Sequence, residues 1–294
     1  MGAIPLREVV PLLRITVGYW YADRAPRMGA ALAYYMALSL APSLVIMLAI
    51  AGFAFSAKAA QGGLIWQIER MVGPEGAKLI QIIVEGVHRS EHGITATVLG
   101  LFTLFFGATA AVNELRDDLN TVWQVPDDPT WSHARNAYNL IKDRLLSLAI
   151  VLGAGLYLLA SLTLNLWVSA ADKYLNPAAN PHRVLSQSIE WLVSLVAITV
   201  LFALIFKLMP NVSLEWGDVV IGAIFTSVML TAGKLLLGLY LGGAGFTDTY
   251  GAAGSLVILL VWVYYSAQAL IFGAEFTRAY TNRFGSKSHL ILAP

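Results

Sequence analysis

Six long apolar runs decide what this 294-residue chain can fold into. They cover residues 28–53, 93–113, 146–171, 187–209, 219–243 and 254–276. About 20 apolar residues, rising about 1.5 Å each, cross a hydrocarbon core of about 30 Å. Inside hydrocarbon every backbone N–H and C=O must be satisfied within the segment, so runs of this kind become helices. Composition agrees: 13% of the residues are charged and 57% hydrophobic, whereas soluble domains carry about 25% charged residues. The expected fold is all-α, a polytopic integral membrane protein with six transmembrane helices and interfacial amphipathic helices beside them.

The interfacial helices are expected at about 5–22, 63–72, 76–91 and 130–145. In the first, Leu6, Val9, Val10, Leu13, Val17, Trp20 and Tyr21 recur at helical spacing, with Arg7 and Arg14 off that face. Such a helix suits the inner leaflet surface, with Pro11 as a point of interruption. The longest segment outside the spans, 54–92, is too short to bury a core of its own, so residues 1–294 form a single membrane domain. No internal repeat points to inverted transporter halves.

Lys and Arg set the orientation. With the N-terminus inside, twelve of the nineteen basic residues fall on the cytoplasmic side, six on the other, and Lys234 lies within a span. Both termini are therefore expected in the cytoplasm, and no cleavable signal pattern precedes the first span, which should be retained. A chain without cysteine makes no disulfide and no thiolate metal site. A net charge of +1 with no basic patch excludes nucleic acid as an expected partner.

Motifs for chemistry are sparse. In HRSEH (88–92) two histidines lie four apart, with Glu85 on the same helical face. The order lacks the HExxH pattern, so this reads as a solvated helix end rather than a metal site. No Ser, His and Asp grouping suggests a nucleophile, so neither enzymatic activity nor a cofactor is expected. Small residues at i+4 spacing, Gly29 with Ala33, Ala37 and Ala41, Gly107 with Ala111, and Gly238 with Gly242, let helices approach closely. Pro42 removes a backbone donor inside the first span, at a point where a kink would serve packing or a gate.

Lys234 is the deepest charge. It lies about 4 to 5 Å beyond the midpoint of its span and about 13 Å from the outer interface, too far for simple snorkelling. Facing lipid there costs at least about 2.5 to 3.5 kcal/mol, so the side chain should face protein or a wet cavity. Asn165, Glu190, Tyr264 and Gln268 are candidate partners at related depth. With Lys234 and Pro42 they make a candidate transport pathway. Glu114, Arg116, Lys207, Asp218, Glu275 and Arg278 gather at the cytoplasmic ends of spans, either as ion pairs tying helices together or as an inner vestibule.

The stretches AYYMALSLAP (33–42), ELRDDLNTVW (114–123), WGDVVIG (216–222), AGKLLLGLYL (232–241) and YGAAGSLVILLVWVYYSAQALIFGAEFTR (250–278) resemble the YihY/BrkB family of bacterial inner-membrane proteins. The resemblance runs from about residue 20 to 283. It implies six spans with both termini cytoplasmic, in a bacterial inner membrane. It also brings a ribonuclease BN label, a misattribution that no metal cluster or basic patch in this sequence supports. The expected function is transport or flipping of an anionic lipid or lipid-linked amphiphile. A small-solute or ion transporter and a non-transporting envelope scaffold are the alternatives. Membrane lipids are the expected partners, with a homodimer or an envelope-protein partner left open.

Overall fold

The computed structural model describes residues 5–54, 81, 93–126, 181–243 and 252–286. Six helices are described: α1 (Leu6–Ala22), α2 (Ala25–Ala54), α3 (Gly93–Val122), α4 (Pro181–Leu208), α5 (Trp216–Gly243) and α6 (Ala252–Arg283). Five of them cover the apolar runs 28–53, 93–113, 187–209, 219–243 and 254–276, with α4 ending one residue short of 209. The run 146–171 and the expected interfacial helices at 63–72 and 130–145 lie outside the described residues, as does 76–91 apart from Gln81. No strand occurs among the described residues.

Local chemistry sets the helix ends. α1 runs unbroken through Pro11. It ends at Asp23 and Arg24, where Arg24 takes a left-handed φ of 57° and turns the chain into α2. Pro26 stands in the first turn of α2, where its missing N–H leaves no helical bond unmade. α3 closes in a Schellman motif: the N–H of Val125 bonds Asn120 O at 2.9 Å and that of Gln124 bonds Thr121 O at 3.0 Å, with Gln124 at φ 51°. The backbone of α2 stays helical through Pro42.

α6 is the hub of the packing, touching α1, α2, α3 and α5, while α4 packs on α5 and α3 on α2. The main core is built from Leu32, Leu119, Val122, Phe206, Met209, Val219, Ala223, Ala267 and Ile271, all essentially without exposure. A second cluster joins Leu12 of α1 to Phe276, Ala279 and Tyr280 of α6.

The α5–α6 contact repeats one short pattern on both helices, GAIFT at 222–226 and GAEFT at 273–277. Thr277 covers Gly222 and Thr226 covers Gly273, so closely that a methyl group on either glycine would overlap the threonine. Each threonine hydroxyl turns back to its own helix, Thr226 donating to Gly222 O at 2.8 Å and Thr277 to Gly273 O at 2.7 Å. Phe225 and Phe276, the fourth residues of the two pentapeptides, stack at 3.9 Å and 10°. The antiparallel pair therefore has a local twofold arrangement, broken at the third position, where Ile224 is exposed and Glu275 fully buried.

The outward faces are apolar. Leu192, Val196, Val200, Leu204 and Leu208 form one exposed row on α4, and Val220, Ile224 and Val228 another on α5. Surfaces of this kind suit lipid rather than water. Among the described residues, two helices, over Trp216–Leu237 and Leu256–Arg283, are long and apolar enough to cross a membrane, each with mean hydropathy 1.9.

Candidate functional site

Tyr264, Gln268, Ile271, Glu275 and Arg278 follow one another at steps of four, three, four and three, which places them on one face of α6. That face meets the elbow between α1 and α2. Trp20 Nε1 donates to Gln268 Oε1 at 3.1 Å, and Gln268 Nε2 donates to Ala25 O at 3.2 Å. Tyr264 donates to Pro26 O at 3.4 Å. Gly29 leaves room for the Gln268 amide and packs against Ile271. Arg278 Nη1 reaches Asp23 Oδ2 at 2.6 Å and Glu275 Oε2 at 3.4 Å, and its guanidinium lies 4.2 Å over the Tyr19 ring. Glu275 is fully buried, and its Oε1 has no hydrogen-bond partner. One guanidinium thus serves two carboxylates from opposite ends of the sequence. A pair buried this deeply is costly to break, by about 3 to 5 kcal/mol, because the remaining charge stays in place. Arg283 extends the attachment outward to Glu8 at 2.5 Å.

Lys207 and Asp218 line a common cleft beside Tyr280 of α6. Lys207 Nζ donates to Leu214 O and lies 5.6 Å from the Trp216 ring centroid. Asp218, in the first turn of α5, accepts from the Ser286 N–H at 3.0 Å and the Ser286 hydroxyl at 2.8 Å. Only a glycine fits at 285, since a Cβ there would press on the Asp218 carboxylate. Together with Glu215 and Tyr280 these residues line a cleft of about 640 Å3.

Glu114 and Arg116 stand apart from both groups, at the end of α3 beyond its apolar run. Asp118 beside them is buried, with Oδ2 unpartnered. Its pKa is raised to about 7, first by burial and then by the negative charges of Glu114 and Asp117. Asn120 Oδ1 accepts from the Asn211 N–H at 2.8 Å and ties the end of α3 to the α4–α5 connection.

Lys234 is half-buried on α5. It shares a face with Ser227, whose hydroxyl lies 3.1 Å from that of Thr199 on α4. Its neighbour Gly233 is covered by the ring of Tyr265, whose hydroxyl donates to Met229 O at 2.6 Å. The Thr199–Ser227 contact fixes the register of the antiparallel α4–α5 pair. Counting outward from it at about 1.5 Å per residue puts Lys234 at the level of residue 192 and Glu190 about 3 Å further out. Gln268 and Tyr264 belong to the elbow face of α6, while Tyr265 is the α6 residue that packs next to Lys234. Asn165 lies outside the described residues.

A chain whose described residues form long helices with exposed apolar rows and charges collected at helix ends is a membrane protein. The family model described as Virulence factor BrkB matches residues 17–290, and the chain belongs to that family. It is 23% identical over 258 residues to a ribonuclease-like protein, YfkH, of Bacillus subtilis, covering 84% of this chain and 86% of that one. It is 24% identical over 270 residues to a UPF0761 membrane protein of Tolumonas auensis, covering 90% of this chain and 84% of the relative. A UPF0761 membrane protein of Pseudomonas aeruginosa is 23% identical over 271 residues, of which the match spans 61%. No solved structure matches.

Asp23 was not among the residues that sequence reasoning singled out. Asp23 carried no signal, because its partner is 255 residues away. The GAIFT and GAEFT pentapeptides are the sequence signal that could have found the α5–α6 contact, and sequence reasoning passed over them.

Proposed function

We propose that this protein is a multi-pass protein of the bacterial inner membrane, with both termini in the cytoplasm, that moves an amphiphile with an anionic headgroup between leaflets. The observation that carries this reading is the seam between α4 and α5. Lys207 stands near its inner end, eight residues or about 12 Å from Thr199. Lys234 stands seven residues or about 10 Å beyond Ser227 on the other side. Between the two ammonium groups lie the hydroxyls of Thr199, Ser227 and Thr231, each donating to a carbonyl four residues earlier on its own helix at 2.8 Å. Hydroxyls can rotate, so an anion leaving one lysine meets donors before it reaches the next. The exposed apolar rows on α4 and α5 give acyl chains a surface beside the seam. No reaction is assigned to the chain, because its sequence offers no nucleophile grouping or metal-ligand pattern.

A lipid-flip assay on the reconstituted protein tests the reading. Lys234→Met should slow flipping at least tenfold while leaving the thermal midpoint near wild type. Unchanged flipping in a folded variant would remove the lysine from the mechanism. Solute uptake without flipping would favour the small-solute alternative, and neither activity would favour an envelope scaffold.

A further inference from the structure

The cleft at the inner end of α5 carries groups of both signs within a small space. Lys207 supplies an ammonium held against the Leu214 carbonyl. The first turn of α5 adds N–H groups that have no intrahelical acceptor, since the first helical bond runs from Val219 N to Glu215 O at 3.2 Å. The same cleft is lined by the carboxylates of Glu215, exposed, and Asp218, buried and held by Ser286. Trp216 is 53% exposed at the rim, and Tyr280 closes the wall. At about 640 Å3 the space falls within the size range of small-ligand sites.

We infer that this cleft recognises the headgroup of an aminophospholipid, a phosphate diester joined by a short link to a primary ammonium. A purely anionic headgroup would place its charge beside two carboxylates, and a purely cationic one would face Lys207. A headgroup with both signs answers both. The phosphate pairs with Lys207 and the N–H groups of the α5 first turn. The ammonium pairs with Glu215 and lies against the Trp216 ring, as cations do on aromatic faces. The exposed tryptophan favours a lipid over a soluble ligand, because indole rings settle at the headgroup level of a bilayer. The inference narrows the proposed transport reading by naming the headgroup, and it rests on that reading only in taking the occupant from the bilayer.

The test is native mass spectrometry of the full-length protein in detergent, titrated with phosphatidylethanolamine, phosphatidylglycerol and phosphatidylcholine of the same acyl composition. Phosphatidylethanolamine should bind at least fivefold more tightly than the other two. Lys207→Gln should weaken phosphatidylethanolamine and phosphatidylglycerol alike. Glu215→Gln, at an exposed position where folding is not at stake, should erase the preference for phosphatidylethanolamine. Soluble glycerophosphoethanolamine should compete only weakly; competition as strong as that of the lipid would assign the cleft to a soluble ligand and overturn the inference. Equal binding of the three lipids, or a preference that survives Glu215→Gln, would overturn it as well. Selective binding in a protein that does not flip lipid would leave this site standing and remove the transport reading. Flipping without selective binding would do the reverse.

Discussion

At Asp118 the chain keeps a carboxyl group away from water, next to two further acids. Burial and the charges of Glu114 and Asp117 raise its pKa to about 7 from 3.8. Between those values the folded protein holds a proton that the unfolded chain has released, so stability falls as pH rises through the interval. Asp118→Asn removes this dependence. Thermal melts in detergent should show the variant more stable than wild type at pH 8, by on the order of a few kcal/mol, and the two nearly equal at pH 4. Parallel stability curves across the range would mean that the carboxyl group ionises normally. Arg278 carries the opposite lesson about single residues. Its position among apolar neighbours at the end of the sixth run was plain in the sequence. Its bond to Asp23 was not, because only the path of α1 and α2 brings the elbow beside α6.

Helix contacts were more legible than side-chain partners. The expectation that small residues mark close approaches holds at Gly29, which makes room for Gln268, and at Gly107, which packs on the Ser39 backbone. Periodicity names the face that is small but not the side chain that fills it. At the α5–α6 contact the filling residue is threonine on both sides, and this gives a coupled prediction. Gly222→Ala should cost about 1 to 3 kcal/mol by overpacking against Thr277. Thr277→Ala in the same chain should recover part of that loss, because it removes Oγ1 and Cγ2 but leaves the Cβ at 2.8 Å, a coupling visible in a double-mutant cycle of unfolding midpoints. Gly273→Ala should behave in the same way with Thr226→Ala. Additive losses would show that the threonines do not fill the space the glycines leave.

For the whole molecule, apolar run length and charge bias carry the expected architecture, and the absence of cysteine makes the arrangement easy to map. Single cysteines introduced as Arg7→Cys and Ser90→Cys should differ in intact cells. An impermeant thiol reagent should label the second and leave the first protected until the membrane is opened; the reverse pattern would invert the topology. The α1 sequence shows two apolar sides. Leu12 and Thr16 are buried toward α6, while Val10, Val17 and Tyr21 stay exposed. Helical spacing alone could not say which side takes the protein and which the surroundings. The interlocked pentapeptides also bear on movement. Two knobs, each seated in the other helix's socket, oppose both axial slip and rotation of α5 against α6. If the proposed transport runs by alternating access, α5 and α6 would be its stator, and the rotor parts would be α4, on its hydroxyl seam, and the α1–α2 elbow, on its arginine clasp.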